Sequence, residues 1–247
     1  MSKTAIIIPA RYGSSRLEGK PLLKVAGKPV IQWVYEKAMQ AKLADMIIVA
    51  TDDRRIFDAV TAFGGVAEMT SINHKCGSDR IREVVDRHPE ISYIVNLQGD
   101  EPLIEPSAID EVARNVKEDA NADISTLIRV LKDEEEINNP NLVKCVRDKN
   151  GFALYFSRSK IPYERNPVSG EFYGHLGIYG YKREALIKMT SLEQTPLETT
   201  ESLEQLRALE NGMKIKTSVV DFVPVGIDTR DDLEKFKAIV EAKIRIS

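Results

Sequence analysis

The first half of the chain alternates short apolar-rich runs with amphipathic stretches. Ala5–Ile8, Met46–Ala50, Val66–Met69 and Tyr93–Leu97 have the length and composition of strands. Between and after them, Pro29–Lys42, Arg55–Phe63, Ser78–Arg87 and Ile109–Glu118 read as helices. In Pro29–Lys42 the apolar positions are Val30, Ile31, Val34, Ala38 and Ala41, behind a proline whose missing N–H is harmless in a first turn. Pro9 is expected to end the first run, and Gly64-Gly65 the second helix. Strands alternating with helices predict βαβ units and a mostly parallel sheet. Short strands without polar alternation fit a sheet covered on both faces.

The second half has another rhythm. Ile124–Val130 and Leu142–Arg147 read as strands. Asp148-Lys149-Asn150-Gly151 is a hairpin turn, with Phe152–Ser157 as the returning strand. Leu176–Tyr181 and Ile215–Val220 are further strands; Pro196–Asn211, stopped by Gly212, and Asp231–Lys243 are helices. Arg165–Glu171 is a loop. The expected fold is one α/β domain over 1–247, Rossmann-like and mostly parallel, with an antiparallel extension over about 125–195.

A chain of 247 residues is long enough to bury a sizeable core. Its formal net charge of −3 disfavours nucleic acid as a partner, because phosphate-backbone binding draws on a basic excess. Two cysteines, Cys76 and Cys145, make neither a disulfide framework nor a zinc site and point to a reducing compartment. Four apolar residues before Pro9 are too few for a signal peptide, and no run approaches the ~20 apolar residues of a membrane span. The expected location is cytoplasmic.

The densest chemistry is Pro9-Ala10-Arg11-Tyr12-Gly13-Ser14-Ser15-Arg16-Leu17-Glu18-Gly19-Lys20-Pro21, between a strand and a helix. In a doubly wound sheet that is the ligand-binding edge. Gly13, Ser14, Ser15 and Gly19 permit tight turns with amides facing a concavity, and Arg11, Arg16 and Lys20 add three cations. Amides for shape and cations for charge suit a polyphosphate. A P-loop is excluded: five residues separate Gly13 from Gly19, and Pro21 after Lys20 has no hydroxyl for a metal.

A second motif, Gln98-Gly99-Asp100-Glu101-Pro102, ends another strand; a carboxylate there can hold a hard cation against phosphate oxygens, or simply make a turn. In Gly226-Ile227-Asp228-Thr229-Arg230-Asp231-Asp232, Thr229 and Asp232 form a capping box. Asp228 precedes the cap and reads as turn or ligand. His74, His88 and His175 lack zinc-site spacing, and no His/Asp pair lies near Ser14 and Ser15 to make a hydrolase triad.

Together with GKPVIQWV, VATDD, HKCGSDRI, VNLQGDEPLI, ALYFSRSKIPY, HLGIYGY and LEQLRALENG, these motifs resemble the CMP-Kdo synthetases, the 3-deoxy-manno-octulosonate cytidylyltransferases, over nearly the whole chain. ALYFSR, HLGIYGY and LEQLR are the most specific; the glycine-rich loop alone marks only a sugar nucleotidyltransferase. The resemblance implies attack of the Kdo anomeric hydroxyl on the α-phosphorus of CTP, in a Mg²⁺-dependent homodimer serving lipopolysaccharide biosynthesis. It implies that Arg11, Arg16 and Lys20 bind phosphates and that the Pro9-Ala10 backbone with Cys76, Gly77 and Arg80 selects cytosine. Asp100 and Asp228 would hold Mg²⁺; Arg16, Lys20 and Asp100 would be catalytic; Gln98, Arg158, His175, Tyr179, Glu204 and Gln205 would line the sugar pocket.

Three departures from the family pattern stand out. Glu18 stands where proline is usual and is expected to point outward. Cys76 replaces a serine, and Thr199-Thr200 a His-Ile or Gln-Ile pair, which keeps an amino-substituted Kdo open as the sugar. A sialic acid or methylerythritol phosphate cytidylyltransferase would share the first loop without ALYFSR, HLGIYGY and LEQLR. A non-catalytic regulatory module would bind a nucleotide without turnover and would need no carboxylate pair such as Asp100 and Asp228.

Overall fold

The computed structural model describes residues 2–13, 17–166, 171–223 and 225–246. They fall into two compact units, Met1–Asp110 with Pro224–Ser247, and Glu111–Val223. The second reaches beyond the 125–195 segment on both sides.

In the first unit β1 (Lys3–Ala10) is followed by a 3-10 turn at Lys20–Leu22 and a small hairpin, β2 (Lys24–Val25) and β3 (Lys28–Pro29). Then come α1 (Val30–Ala38), β4 (Met46–Thr51), α2 (Arg54–Ala62), β5 (Ala67–Met69), α3 (Gly77–Arg87) and β6 (Ile91–Asn96). The helix α4 (Pro106–Glu118) spans the sequence boundary between units. Strands β6, β1, β4 and β5 pair in that order, all parallel. Ala5, Ile6, Ile7 and Ile8 are fully buried, as expected of a strand covered on both faces.

Two expectations from the sequence are corrected by the strand and helix ends. Pro9 does not end β1. It stays in register with Ala50 of β4, while pairing to β6 stops at Ile7 opposite Asn96. Its missing N–H therefore costs no bond on the β6 side. The helix read as Pro29–Lys42 stops at Ala38, because the Asp110 carboxylate draws the N–H groups of Lys42 and Leu43 out of the helical path.

The second unit continues with β7 (Ile124–Leu131), α5 (Glu134–Asn138), β8 (Lys144–Arg147), β9 (Ala153–Ser157), β10 (Phe172–Lys182), α6 (Arg183–Ser191), α7 (Pro196–Glu201), α8 (Gln205–Glu210) and β11 (Ile215–Val220). β11 runs parallel to β7; β7, β10, β8 and β9 then pair antiparallel in turn. The helix read as Pro196–Asn211 is two helices, broken at Ser202, which adopts a left-handed φ of 53°. The break brings Glu198 and Arg207 into a buried ion pair, Nε to Oε2 at 2.8 Å.

The C-terminal α9 (Arg230–Ile246) belongs to the first unit. Phe236 and Val240 pack with Val25 and Val30, and Trp33 meets the Phe236 ring edge-on at 5.8 Å. This cluster anchors the segment that carries Asp228.

Candidate functional site

The carboxyl ends of β1 and β6 and the approach to α9 enclose a cavity of about 350 Å³ in the first unit. Its walls are Pro9, Ala10, Arg11, Gly13, Lys20, Pro21, Gln98, Gly99, Asp100 and Asp228. Gly99 follows β6 so closely beside β1 that a Cβ would sit 3.0 Å from the Pro9 carbonyl oxygen. Gly19 holds φ 66°, with its amide bonded to the Tyr12 carbonyl at 2.9 Å and the Tyr12 ring over its Cα. That turn delivers Lys20 into the cavity.

Lys20 Nζ lies 2.6 Å from Asp100 Oδ2 and 3.1 Å from Asp228 Oδ1. The two carboxylates come from positions far apart in the sequence. They meet because the Ile227 N–H donates to the Asp100 carbonyl at 2.9 Å, with the Ile227 side chain fully buried. Asp232 supports the turn by accepting the Thr229 amide at 2.9 Å and the Thr229 hydroxyl at 2.8 Å, the expected capping box. Glu101 is enclosed beside Asp100, and its pKa is pushed up to about 8, by burial first and then by the Asp100 charge. Opposite the aspartates, Arg11 donates from Nη2 to the His74 carbonyl at 2.7 Å, and His74 in turn pairs with Glu83 of α3.

The residues expected to select cytosine take different places. Gly77 starts α3, where a Cβ would contact Pro9 at 3.4 Å, and half-buried Cys76 caps the helix. Arg80 is fully buried: Nη1 donates to the Thr70 hydroxyl and Nη2 to Asp52 at 2.7 Å. These two bonds make it a brace between α3 and the end of β4. Ser14, Ser15 and Arg16 lie outside the described residues.

A second cluster stands in the other unit. Tyr179, Glu204 and Gln205 line a cleft of about 20 Å³ with Ile124, Tyr181 and Met189, room for about one water. Gln205 is 6% exposed, and among the described residues its Nε2 has no hydrogen-bond partner, a buried donor without an acceptor. The His175 ring lies 5.4 Å from the Tyr179 ring and 5.1 Å from that of Phe156. Burial lowers the His175 pKa to about 3 and raises that of Tyr179 well above the phenolic range, so both are neutral near pH 7. Arg158 follows β9. Its guanidinium donates to the carbonyls of Glu201 (2.7 Å), Pro140 (3.1 Å) and Ser202 (3.4 Å), and its amide to the Glu201 carboxylate. Fully buried Lys144 clamps the same corner, donating to the carbonyls of Asn139, Leu142 and Arg158.

A polyphosphate-sized cavity at the sheet edge, flanked by two aspartates, is the geometry that known proteins can now be set against. The cytidylyltransferase family model matches residues 5–215. A 3-deoxy-manno-octulosonate cytidylyltransferase of Fusobacterium nucleatum is 50% identical over 241 residues, covering 97% of this chain and 98% of that protein. One from Thermodesulfovibrio yellowstonii is 49% identical over 244 residues, covering 94% and 95%. The solved structure of a CMP:2-keto-3-deoxy-manno-octonic acid synthetase complexed with CTP superposes with a TM-score of 0.94 at 44% identity, covering 98% of this chain and 100% of that one. This chain belongs to the 3-deoxy-manno-octulosonate cytidylyltransferases. The expected α/β fold, mostly parallel with antiparallel strands, is the cytidylyltransferase fold of that neighbour.

Within this cytidylyltransferase, the sequence motifs separate into three groups. Pro9, Ala10, Arg11, Gly13, Lys20, Gln98, Asp100 and Asp228 meet around one cavity. His175, Tyr179, Glu204 and Gln205 belong to the second unit, as does Arg158. Glu18 is exposed, and Cys76, Gly77 and Arg80 organise the start of α3. Sequence reasoning missed Gly99 as a point of close approach and Glu101 as an enclosed acid. It also missed Thr126, Phe156 and Tyr181 as neighbours of the second cluster; Phe156 and Tyr181 lie inside ALYFSR and HLGIYGY, while Thr126 is an ordinary strand residue with no signal of its own.

Proposed function

We propose that this chain transfers CMP from CTP to the anomeric hydroxyl of Kdo. The observation that carries this is Lys20 held between Asp100 and Asp228 in the cavity at the ends of β1 and β6. The sugar hydroxyl attacks the α-phosphorus, the α–β bridging bond breaks, and its electron pair leaves with pyrophosphate while the hydroxyl proton is released. The chain's own work is positioning and charge. The Pro9–Gly13 backbone and Arg11 shape the phosphate side, and Lys20 places a positive charge where the phosphates gain negative charge.

Asp100 and Asp228 fit a hard divalent cation such as Mg²⁺, since they are two carboxylates already gathered around a positive charge. Among the described residues no cluster of three or more His, Cys, Asp or Glu side chains forms a closed metal cage. Two protein ligands leave the other positions to phosphate oxygens and water, as Mg²⁺ favours. Bound there, Mg²⁺ would screen the phosphates and stabilise the departing pyrophosphate. A cation held by Asp100 and Asp228 would compete with Lys20 for these carboxylates, which would leave the ammonium free to pair with phosphate.

Kdo is the sugar acid that the relatives' names carry, and His175, Tyr179, Glu204 and Gln205 offer the mixed donors and acceptors that a polyhydroxylated acid needs. Arg158 spends three of its N–H groups on backbone carbonyls, which supports an architectural share in its role. The same reading makes the protein a cytoplasmic homodimer that feeds lipopolysaccharide synthesis. Among the described residues no helix is long and apolar enough to cross a membrane.

A pyrophosphate-release assay tests the reading with a panel of nucleotides and sugar acids, with and without Mg²⁺. Release is expected only with CTP, Kdo and Mg²⁺ together. Preference for ATP or GTP would overturn the cytidylyl assignment, and preference for an amino-substituted Kdo the sugar assignment. Light scattering should give twice the chain's mass.

A further inference from the structure

One hydroxyl in the second unit has neighbours that determine where its proton lies. Thr126, on β7, is fully buried. Its Oγ1 is 2.8 Å from the Ile178 carbonyl oxygen, 3.1 Å from that of Leu176 and 2.9 Å from Nε2 of His175. The strand register creates this crowding. Leu176 pairs with Leu127 and Tyr179 with Thr126, so Gly177 and Ile178 are extra residues in β10. Such a bulge turns carbonyls out of the ladder, and here the threonine hydroxyl meets them.

A threonine hydroxyl has one proton and two lone pairs. If that proton went to His175, two carbonyl oxygens at contact distance would face hydroxyl lone pairs. If it goes to the carbonyls, the lone pair faces Nε2, and Nε2 must carry a hydrogen. A carbonyl oxygen has no proton to offer, so the carbonyls settle the direction. The neutral imidazole then has Nδ1 as its acceptor. Among the described residues nothing hydrogen-bonds Nδ1, and the rings of Phe156 and Tyr179 restrain the imidazole. Burial keeps the ring neutral across physiological pH.

We propose that Thr126 is a positioning residue for sugar recognition, locking His175 in the Nε2–H tautomer so that Nδ1 always accepts a hydrogen bond from a substrate hydroxyl. This rests on the reading that His175 belongs to the sugar pocket. The pocket then demands a donor at that point: a hydroxyl or an amine is accepted, and a fluorine or methoxy group is not.

Long-range ¹⁵N–¹H correlation spectra of the full chain, labelled at its three histidines, test the tautomer directly. The His175 signals, assigned by their loss in His175→Gln, are expected to show Nε2–H and no titration between about pH 5 and 8. Thr126→Val keeps the shape and removes the acceptor. It should abolish the single tautomer and raise the KM for Kdo roughly tenfold, the worth of one hydrogen bond, with the KM for CTP unchanged. Thr126→Ser, which keeps the hydroxyl, should restore both. A wild-type His175 that is Nδ1–H or cationic at pH 7 would overturn the proposal without any variant having to fold. So would a Thr126→Val enzyme that loses the tautomer at an unchanged KM for Kdo. Wild-type turnover with CTP and Kdo is the control. Its failure would remove the sugar role of His175, while the spectrum would still report the tautomer.

Discussion

Asp228 shows how a single residue can be ambiguous in sequence and plain in three dimensions. An aspartate before a helix cap is ordinary turn chemistry. The bond from the Ile227 amide to the Asp100 carbonyl, 127 positions away in the chain, makes it half of a charged pair around Lys20. Asp100→Asn and Asp228→Asn should each lower kcat by roughly 10²–10³-fold, the usual cost of one preorganised electrostatic group. Thermal melting should move little, because the side chains are 31% and 47% exposed and such pairs contribute modestly to stability. Wild-type kcat in either variant would remove that residue from the reacting centre. Lys20→Ala should harm turnover far more than Glu18→Ala, since Lys20 faces the cavity and Glu18 faces solvent. Steady-state kinetics on the two variants decide it; a mild Lys20→Ala beside an inactive Glu18→Ala would invert this picture of the loop. Arg80 carries the opposite lesson. A cation beside a binding motif invites a ligand role, yet Asp52 and Thr70 enclose it, and neither partner is visible from local sequence.

Elements are legible where periodicity is local. Strands β1, β4, β5 and β6 and the helices α1 to α3 follow from apolar runs and caps, with ends displaced by a few residues, while the two-residue strands β2 and β3 are too short to leave a pattern. The reading fails where a tertiary contact overrides the pattern, as at Ser202. Pro196–Asn211 holds no Gly or interior Pro before Gly212, and leucines at 203, 206 and 209 keep a helical spacing, so the left-handed serine at 202 leaves no local mark. The helix α5 escapes detection because its five residues leave too little period, whereas α6, with nine residues like α2, carries a helical spacing at Ala185, Leu186 and Met189 that the reading passed over. The break is held by the Glu198–Arg207 pair, whose side chains are 5% and 8% exposed. Removing one partner strands the other charge in the interior, at a typical cost of ~3–5 kcal/mol. Arg207→Met and Glu198→Gln should each lower the urea midpoint strongly. The double variant should be less destabilised than the sum of the singles. Strict additivity would mean that the pair is not coupled.

At the scale of the whole molecule, the division at 110 and 223 is not legible in the sequence, because it depends on α9 returning to the N-terminal unit through Phe236 and Trp33. Such long-range packing leaves no local period. The molecule's response to pH, by contrast, draws on two histidines of opposite sign and on Glu101. Burial holds the folded His175 pKa at about 3, below the ordinary 6.5. Between those values the unfolded chain binds a proton that the folded chain refuses, so stability rises with pH up to about 6.5 and is flat beyond it. His88 is raised instead, first by its bond to Glu68 and then by Glu90, with burial opposing. Its contribution is fully present below about 6.5 and is lost as pH climbs through the higher folded value. Glu101, raised to about 8, opposes His175, since between about pH 4.5 and 8 the folded chain keeps a proton that the unfolded chain releases. Urea unfolding across pH 4 to 9 should separate them, with His175→Gln lowering the slope of stability on the acid limb and His88→Gln removing a loss on the alkaline one. An acid limb unchanged in His175→Gln would mean that this imidazole is protonated in the folded state, which would also contradict a neutral ring locked by Thr126.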